Sequence, residues 1–242
     1  MSRAKFTDRV TVEELPKMPD EYRDLVIRLL TIQADCEIGG PHVYGQQWFL
    51  DAPTADDMFR LTHILAEEID HFRKFAGLLQ KIGIDRSDLL RRRPADRFLE
   101  AFQVTDVSMW ADVATFCCLV DRVGRYQLEE MAGSSYQPLD GVLPTVMAEE
   151  VGHIGYGTAR LGELARDPET RLEAQAAVNH WYPRALDMFG RTGSSRAEQF
   201  IEWGLKKRAN EEARAAYIAE VDPLLDRMGL VVPDPSHNRH YL

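Results

Sequence analysis

The octapeptide LAEEIDHF, residues 65–72, sets two glutamates and a histidine in an otherwise apolar-periodic, helix-forming segment. MAEEVGHI, residues 147–154, repeats the pattern 82 residues later. Charged side chains are sent toward a core only where something neutralises them, because burying an unpaired charge is costly. Neighbours on one helical face fall three, four and seven residues apart. The face of Glu68 carries Leu61, Ile64, Leu65, Phe72, Phe75 and Leu79, apolar throughout, and His71 lies one turn on. Glu67 shares its face with Arg60, His63, Asp70 and Lys74, the pattern of a solvent side. In the second copy Glu150 aligns with Leu143, Val146, Met147, Ile154, Gly157 and Leu161, and His153 follows three residues on. Glu149, flanked by Thr145 and Gly152, is placed at the periphery.

Outward from these motifs the chain is read as helices. The first runs from about Asp20 to Ile38, with Gly39-Gly40-Pro41 as its stop. The second opens at Thr54, a capping residue with Asp57 three later, and ends before Gly83. A linking region from Asp85 to Asp106 holds short helices broken at Pro94. The third long helix spans about Ser108 to Met131 and the fourth about Asp140 to Ala165. Asp167-Pro168-Glu169 restarts a helix with proline at its first position, and Pro183 falls inside it. Ser194 or Ser195 opens another, a last one covers about Asn210 to Met228, and VVPDPSHNRHYL is a surface tail. No strand is predicted. The fold class expected is all-α: one domain over 1–242, a core bundle at about 20–166, C-terminal helices at about 167–229 and an extended tail at 230–242.

Each of the other two long helices also offers one inward acid. On the first, Val26, Leu29, Leu30 and Gln33 lead to Glu37. On the third, Asp121 sits in a stripe of Trp110, Val113, Ala114, Cys117, Gly124, Leu128 and Met131. Glu129 shares its side with Arg122, Arg125 and Tyr126, so Asp121 is the better buried carboxylate. A single Glu-x-x-His on a helix is common and mostly accidental. Two of them on apolar faces, with Glu37 and Asp121 on the partner helices, have the ligand arithmetic of a dinuclear carboxylate site in a ferritin-like four-helix bundle. Four carboxylates buried together repel one another and lose hydration, at several kcal/mol each. Two divalent cations cancel that charge. Oxygen and imidazole donors suit iron or manganese. His42, His63, His180, His237 and His240 have no comparable setting; Trp48, Trp110, Trp181 and Trp203 read as packing residues.

Composition narrows the function. The 242 residues are 45% hydrophobic, with net charge −10 and pI about 5.2. Nucleic acid is a poor partner for such a chain, because phosphate binding needs a basic footprint. Cys36, Cys117 and Cys118 form no CxxC and read as core thiols in a reducing compartment. No run approaches a membrane span, and the N-terminus lacks a signal-peptide core, so a cytoplasmic location is expected. Arg91-Arg92-Arg93 could meet a coenzyme phosphate, although a solvated loop or a subunit contact is the commoner use of such a run.

With the ligand order established, the chain resembles the catalytic di-iron subunits of the phenylacetyl-CoA epoxidase family. The resemblance rests on MPDEYR (18–23), EIGG (37–40), APT (52–54), EIDH (68–71), WADV (110–113), LVD (119–121), SSYQP (134–138), EEVGH (149–153), ALDMFG (185–190) and VPDP (232–235). These occur in family order over nearly the whole chain. The resemblance implies a ferritin-like fold and two iron ions held by Glu37, Glu68, His71, Asp121, Glu150 and His153, the six residues that the face analysis reaches by itself. It implies O2 as cosubstrate, electrons from NADPH through a separate reductase, and a second ferritin-like subunit without metal ligands. It further implies insertion of one oxygen atom into the aromatic ring of an acyl-CoA such as phenylacetyl-CoA. Subunits of that family continue past VPDP, whereas this sequence ends at Leu242, which leaves the usual subunit contacts open. Gly39-Gly40-Pro41 and RVGRYQLEE (122–130) also depart from the pattern and admit another acyl-CoA substrate. Two alternatives share the metal core or the fold: a stand-alone di-metal oxidase or ferroxidase, and a non-catalytic scaffold subunit of an oxygenase complex.

Overall fold

The computed structural model describes residues 6–45, 49–103 and 109–241; Trp48 and Ser108 lie outside them. Helix α1 spans Asp20–Val43 and α2 Ala55–Lys81, the latter opened by the Thr54 hydroxyl accepting from the Asp57 amide. Short 3-10 turns (Ser87–Arg91, Pro94–Asp96, Glu100–Phe102) fill the link. Then come α3 (Trp110–Thr115) and α4 (Asp121–Met131), fused through a π-helical turn, Phe116–Val120. Helices α5 (Leu143–Arg166), α6 (Arg171–Asp187), α7 (Ser195–Glu202) and α8 (Asn210–Arg227) complete the chain. The described residues form no β-strand; Val10 and Tyr136 make an isolated bridge. The architecture is an all-α bundle of the ferritin-like class: α1 packs on α2, and the α3–π–α4 rod packs on α5.

Two apolar clusters sandwich a polar layer. One is built from Tyr22, Leu30, Phe75, Leu79, Leu128 and Val146, the other from Leu61, Ile64, Phe116, Leu161, Trp181 and Tyr217. Along α2 the first-named cluster lies beyond Glu68 and the second before it, so the inward acids occupy the level between them.

Two expectations need correction. The first helix does not stop at Gly39-Gly40-Pro41 but runs through them to Val43. Tertiary packing overrides propensity here: a Cβ on Gly39 would stand 2.7 Å from the Phe102 ring, so glycine serves close approach rather than termination. Helix α6 starts at Arg171, not at Pro168. The Asp167 carboxylate accepts from the Glu169 amide and its carbonyl from the Arg171 amide, which closes a turn before the helix can begin. The tail is mostly exposed yet anchored: buried Asp187 accepts from the His240 and Tyr241 amides and pairs with Arg239.

The π turn is held from outside. Its loosened backbone leaves carbonyls to satisfy, and the Cys118 carbonyl accepts from Arg122 Nε at 3.0 Å and that of Leu119 from the Tyr217 hydroxyl at 3.0 Å. Gly157 of α5 faces the same turn, where an added Cβ would stand 2.5 Å from Cys117 Cβ. The turn ends at Asp121, which is the kind of place where π turns tend to serve function.

Candidate metal centre

The structure brings all six residues together. Glu37, Glu68, Asp121 and Glu150 are buried, and His71 and His153 are fully enclosed. Glu68 and Glu150 stand between the two imidazoles. Glu68 Oε2 is 3.9 Å from His71 Nδ1, and its Oε1 is 3.2 Å from His153 Nδ1. Glu150 Oε1 is 3.5 Å from His71 Nδ1, and its Oε2 is 3.7 Å from His153 Nδ1. Glu37 belongs to the His71 end, 3.4 Å from Nδ1. Asp121 completes the His153 end, where its donor atoms and those of Glu68 and His153 lie within 4.8 Å of one another. Two donor groups that share an acid are the layout a pair of cations requires.

Two glutamates read as peripheral take part. The Glu149 carboxylate accepts from His71 Nε2 at 2.8 Å, and that of Glu67 from His153 Nε2 at 2.8 Å. Each braces the histidine of the other motif, so α2 and α5 are cross-linked across the bundle. Both side chains are 30% exposed, which is why the face pattern assigned Glu67 to solvent. The signal in the sequence was the doublet itself: glutamate precedes the inward glutamate in both copies. Further hydrogen bonds orient the acids. Gln33 Nε2 donates to Glu37 at 2.6 Å, and the Tyr44 hydroxyl donates to Asp121 at 3.0 Å.

The donor set fits divalent metal on observations independent of any relative. His71 Nδ1, His153 Nδ1 and Glu150 Oε2 are buried without a hydrogen-bond partner, although buried polar atoms are nearly always paired. The outer nitrogen of each imidazole is occupied by a carboxylate, the usual brace behind a metal-bound histidine. Protonation tells the same story. Burial and the Glu150 charge hold the Glu68 carboxyl well above its usual range, and the same two causes lift Asp121 to about 7. Burial opposes charge on His71, yet the pull of Glu150 and Glu37 wins and raises it to about 11. His153 rises to about 12, with Glu150 and Glu68 outweighing burial. Burial likewise opposes charge on Glu150, but the two imidazoles bring it down to about 2. Without metal, protons supply the positive charge at this centre.

Beside it lies a cavity of about 40 Å³, walled by Cys36, Leu99, Phe102, Phe116, Val120 and Met188, with Gln33 and Gln127 as polar edges. That volume holds a water-sized molecule; an aromatic ring needs roughly 150 Å³. The wall bearing Leu99 and Phe102 is outside the bundle and is held to α1 by the buried pair Arg97–Asp35 at 2.8 Å. His42, read as a surface or supporting residue, is half-buried beside Arg97 at 2.9 Å. Trp181 is a core residue as expected, with its indole N–H on Asp112 at 2.9 Å.

Comparison with known proteins bears on what such a centre is for. The chain matches the family described as "Phenylacetic acid catabolic protein" over residues 1–241. It is 26% identical over 237 residues to a subunit of 1,2-phenylacetyl-CoA epoxidase from Escherichia coli (strain K12), covering 96% of this chain and 76% of that protein. It is 29% identical over 227 residues to benzoyl-CoA oxygenase component B of Aromatoleum evansii, covering 81% of this chain but 47% of that protein.

Proposed function

The chain belongs to the phenylacetic acid catabolic protein family, and we propose that it is the oxygen-activating subunit of a multicomponent oxygenase acting on the ring of an aromatic acyl-CoA. The observation that carries this reading is the pair of buried, unpartnered imidazole Nδ1 atoms facing four carboxylates, two of which reach both histidines. Glu37, Glu68, His71, Asp121, Glu150 and His153 would hold two iron ions; manganese would find the same donors acceptable. When bound, iron supplies the redox chemistry with O2 that amino-acid side chains lack.

The chain's own residues prepare the site for that chemistry. Glu67 and Glu149 accept the Nε2 protons and so turn both Nδ1 lone pairs inward. Gln33 fixes one oxygen of Glu37, and the Tyr44 hydroxyl is shared between the two oxygens of Asp121. Leu99, Phe102, Phe116, Val120 and Met188 keep bulk water from the cavity side, where a ring would have to be accommodated. Because the cavity is smaller than a ring, substrate binding displaces part of that wall. Leu99 and Phe102 are the candidates, since no bundle helix carries them.

The relatives' names supply the substrate class, acyl-CoA, and the words "subunit" and "component" supply the expectation of partner chains. We propose an NADPH-dependent reductase among them as the source of electrons. The test is direct. Protein produced with iron should carry about two metals per chain, and a Glu68→Ala variant well under one. Reduced anaerobically, then given O2, phenylacetyl-CoA and a reductase, the wild type should yield an oxygenated thioester. Metal without product across a panel of aromatic acyl-CoAs would sink the substrate assignment. No metal uptake would sink the enzyme.

A further inference from the structure

The two glutamines at the edge of the cavity beside the centre lead to different places. Gln33 ends on Glu37, 2.6 Å away. Gln127 lies six residues along α4 from Asp121, roughly 9 Å by helical rise. Its Oε1 accepts from Lys206 Nζ at 2.7 Å. Lys206 belongs to the segment between α7 and α8 and is half-buried. It also lines a surface cleft of about 320 Å³, bordered by Phe6, Arg9, Glu130, Ser134 and Lys207, among others. One lysine thus stands between solvent and a residue that edges the centre's cavity. Leu99, Phe102, Phe116, Val120 and Met188 wall the same cavity and have no proton to give. Lys206 is unlike the cations that serve the fold. Among the described residues its ammonium makes that one hydrogen bond and no ion pair. Glu130, in the same cleft, is already taken: Arg208 pairs with one oxygen, and the Arg208 and Lys207 amides donate to the other at 2.6 and 3.2 Å. The Phe200 ring lies 5.8 Å from Nζ. Burial pulls the ammonium below the ordinary lysine range, against the charge of Glu130, so its proton is held loosely. The groups that face it are Glu130 on α4, Cys36 on α1, and Arg9 and Lys207 at the cleft.

We propose that Lys206, acting through Gln127, is the proton entry to the cavity beside the centre. The inference rests on the oxygenase reading above and adds the route by which that reaction is supplied with protons. Placing one atom of O2 in a ring and releasing the other as water consumes two electrons and two protons. The reductase supplies the electrons, and solvent must supply the protons to a cavity that is otherwise walled by apolar side chains. A side-chain amide is both acceptor and donor, so Gln127 can continue the link that the ammonium begins. The cavity has room for the water that completes it. In the first transfer Gln127 Oε1 takes the lysine's proton while Nε2 releases one to that water. After the side chain rotates, the second proton enters at nitrogen and leaves from oxygen, which restores the amide. Each transfer leaves a neutral amine on Lys206, and solvent in the cleft reprotonates it. Gln33 offers no such route, because no titratable group lies behind it except Glu37, which is itself part of the centre.

The first measurement needs no metal: competitive labelling of the full metal-free chain with acetic anhydride across a pH series, read by peptide mass. Lys206 should react, with a midpoint below the ordinary lysine range. A Lys206 that stays unlabelled, or one with an ordinary midpoint, would overturn the proposal. The second uses iron-loaded protein with reductase, O2 and phenylacetyl-CoA. Wild-type kcat should fall on the alkaline side at the midpoint found by labelling. Lys206→Met should keep its metal and its KM for the thioester, lose about 100-fold in kcat, and lose that alkaline limb. Lys206→Arg keeps the charge but releases no proton at these pH values, and should be as slow as Lys206→Met. Gln127→Leu, on a different element, should behave alike and serves if the lysine variants misfold. Full rate in Lys206→Arg, or an unchanged pH profile in Lys206→Met, would each overturn the proposal. Wild-type product alongside unaffected variants defeats the relay and leaves the enzyme reading. Oxygen consumption without ring product defeats the substrate assignment instead, and a Lys206-dependent rate of that consumption upholds the relay.

Discussion

Asp35 and Glu37 sit two residues apart on α1, both buried, and have opposite company. Asp35 has the guanidinium of Arg97 at 2.8 Å and accepts from the Phe98 amide. Glu37 has a glutamine and an imidazole. The contrast extends through the molecule. Asp57 pairs with Arg160 at 2.9 Å, Asp187 with Arg239, and Glu130 with Arg208. Asp112, held by an indole instead, has its carboxyl pushed up by burial. Glu37, Glu68, Asp121 and Glu150 form no ion pair with any arginine or lysine among the described residues. Acids that serve the fold bring their counter-charge in the same chain. Acids gathered at the centre are left for a charge the chain does not encode.

Arg97 is where this contrast is most exposed to failure. Truncating Arg97→Ala leaves Asp35 buried and unpaired, and should cost about 3–5 kcal/mol in urea unfolding. A loss under about 1 kcal/mol would mean that the guanidinium pairs are not what the other acids depend on. At the centre the counter-charge is exchangeable. Fe(II) or Mn(II) at about 100 times its Kd should stabilise the wild type by about 2.7 kcal/mol and leave Glu68→Ala unmoved.

That gain carries a sign in pH. His71 and His153, raised to about 11 and 12, hold protons at neutral pH that metal must displace. Apparent metal affinity should therefore climb from pH 6 to pH 8, with proton release visible in weak buffer. In the metal-free protein the same raised values favour the fold below about pH 6.5, and that contribution fades as pH rises through about 11 to 12. A flat affinity between pH 6 and 8 would show that protons are not the stand-in.

Smaller effects are expected from the residues that orient the ligands. Glu67→Gln and Glu149→Gln should each lower metal affinity about 10- to 100-fold while the metal-free fold unfolds at nearly the same urea concentration. Equal loss of stability with and without metal would make them structural. Tyr44→Phe removes one hydrogen bond to Asp121 and should cost only about 0.5–1.5 kcal/mol, read by the same unfolding.

Helical period made Glu68, His71, Glu150 and His153 legible, because an acid in an apolar stripe demands a counter-charge. Glu37 and Asp121 followed from the same rule on helices that lack the motif. The rule failed for Glu67 and Glu149. Their side chains leave the solvent face and reach across to the neighbouring helix, a distance no single-helix pattern contains. The rule says nothing of Asp35, Asp57 and Asp187, whose burial depends on arginines 62, 103 and 52 positions away in sequence. Gly39-Gly40-Pro41 misled for a related reason: glycine and proline end helices by intrinsic preference, but contact with Phe102 decides here.

An all-α chain, its main helices and six residues turned toward one another could be read before any coordinates, because periodicity and the cost of buried charge are local facts. The folded arrangement alone sets which end of the centre each acid serves. It also sets that each histidine is braced by the other motif's glutamate. Those relations depend on how helices are placed side by side, and that placement is fixed by packing between residues far apart in the chain.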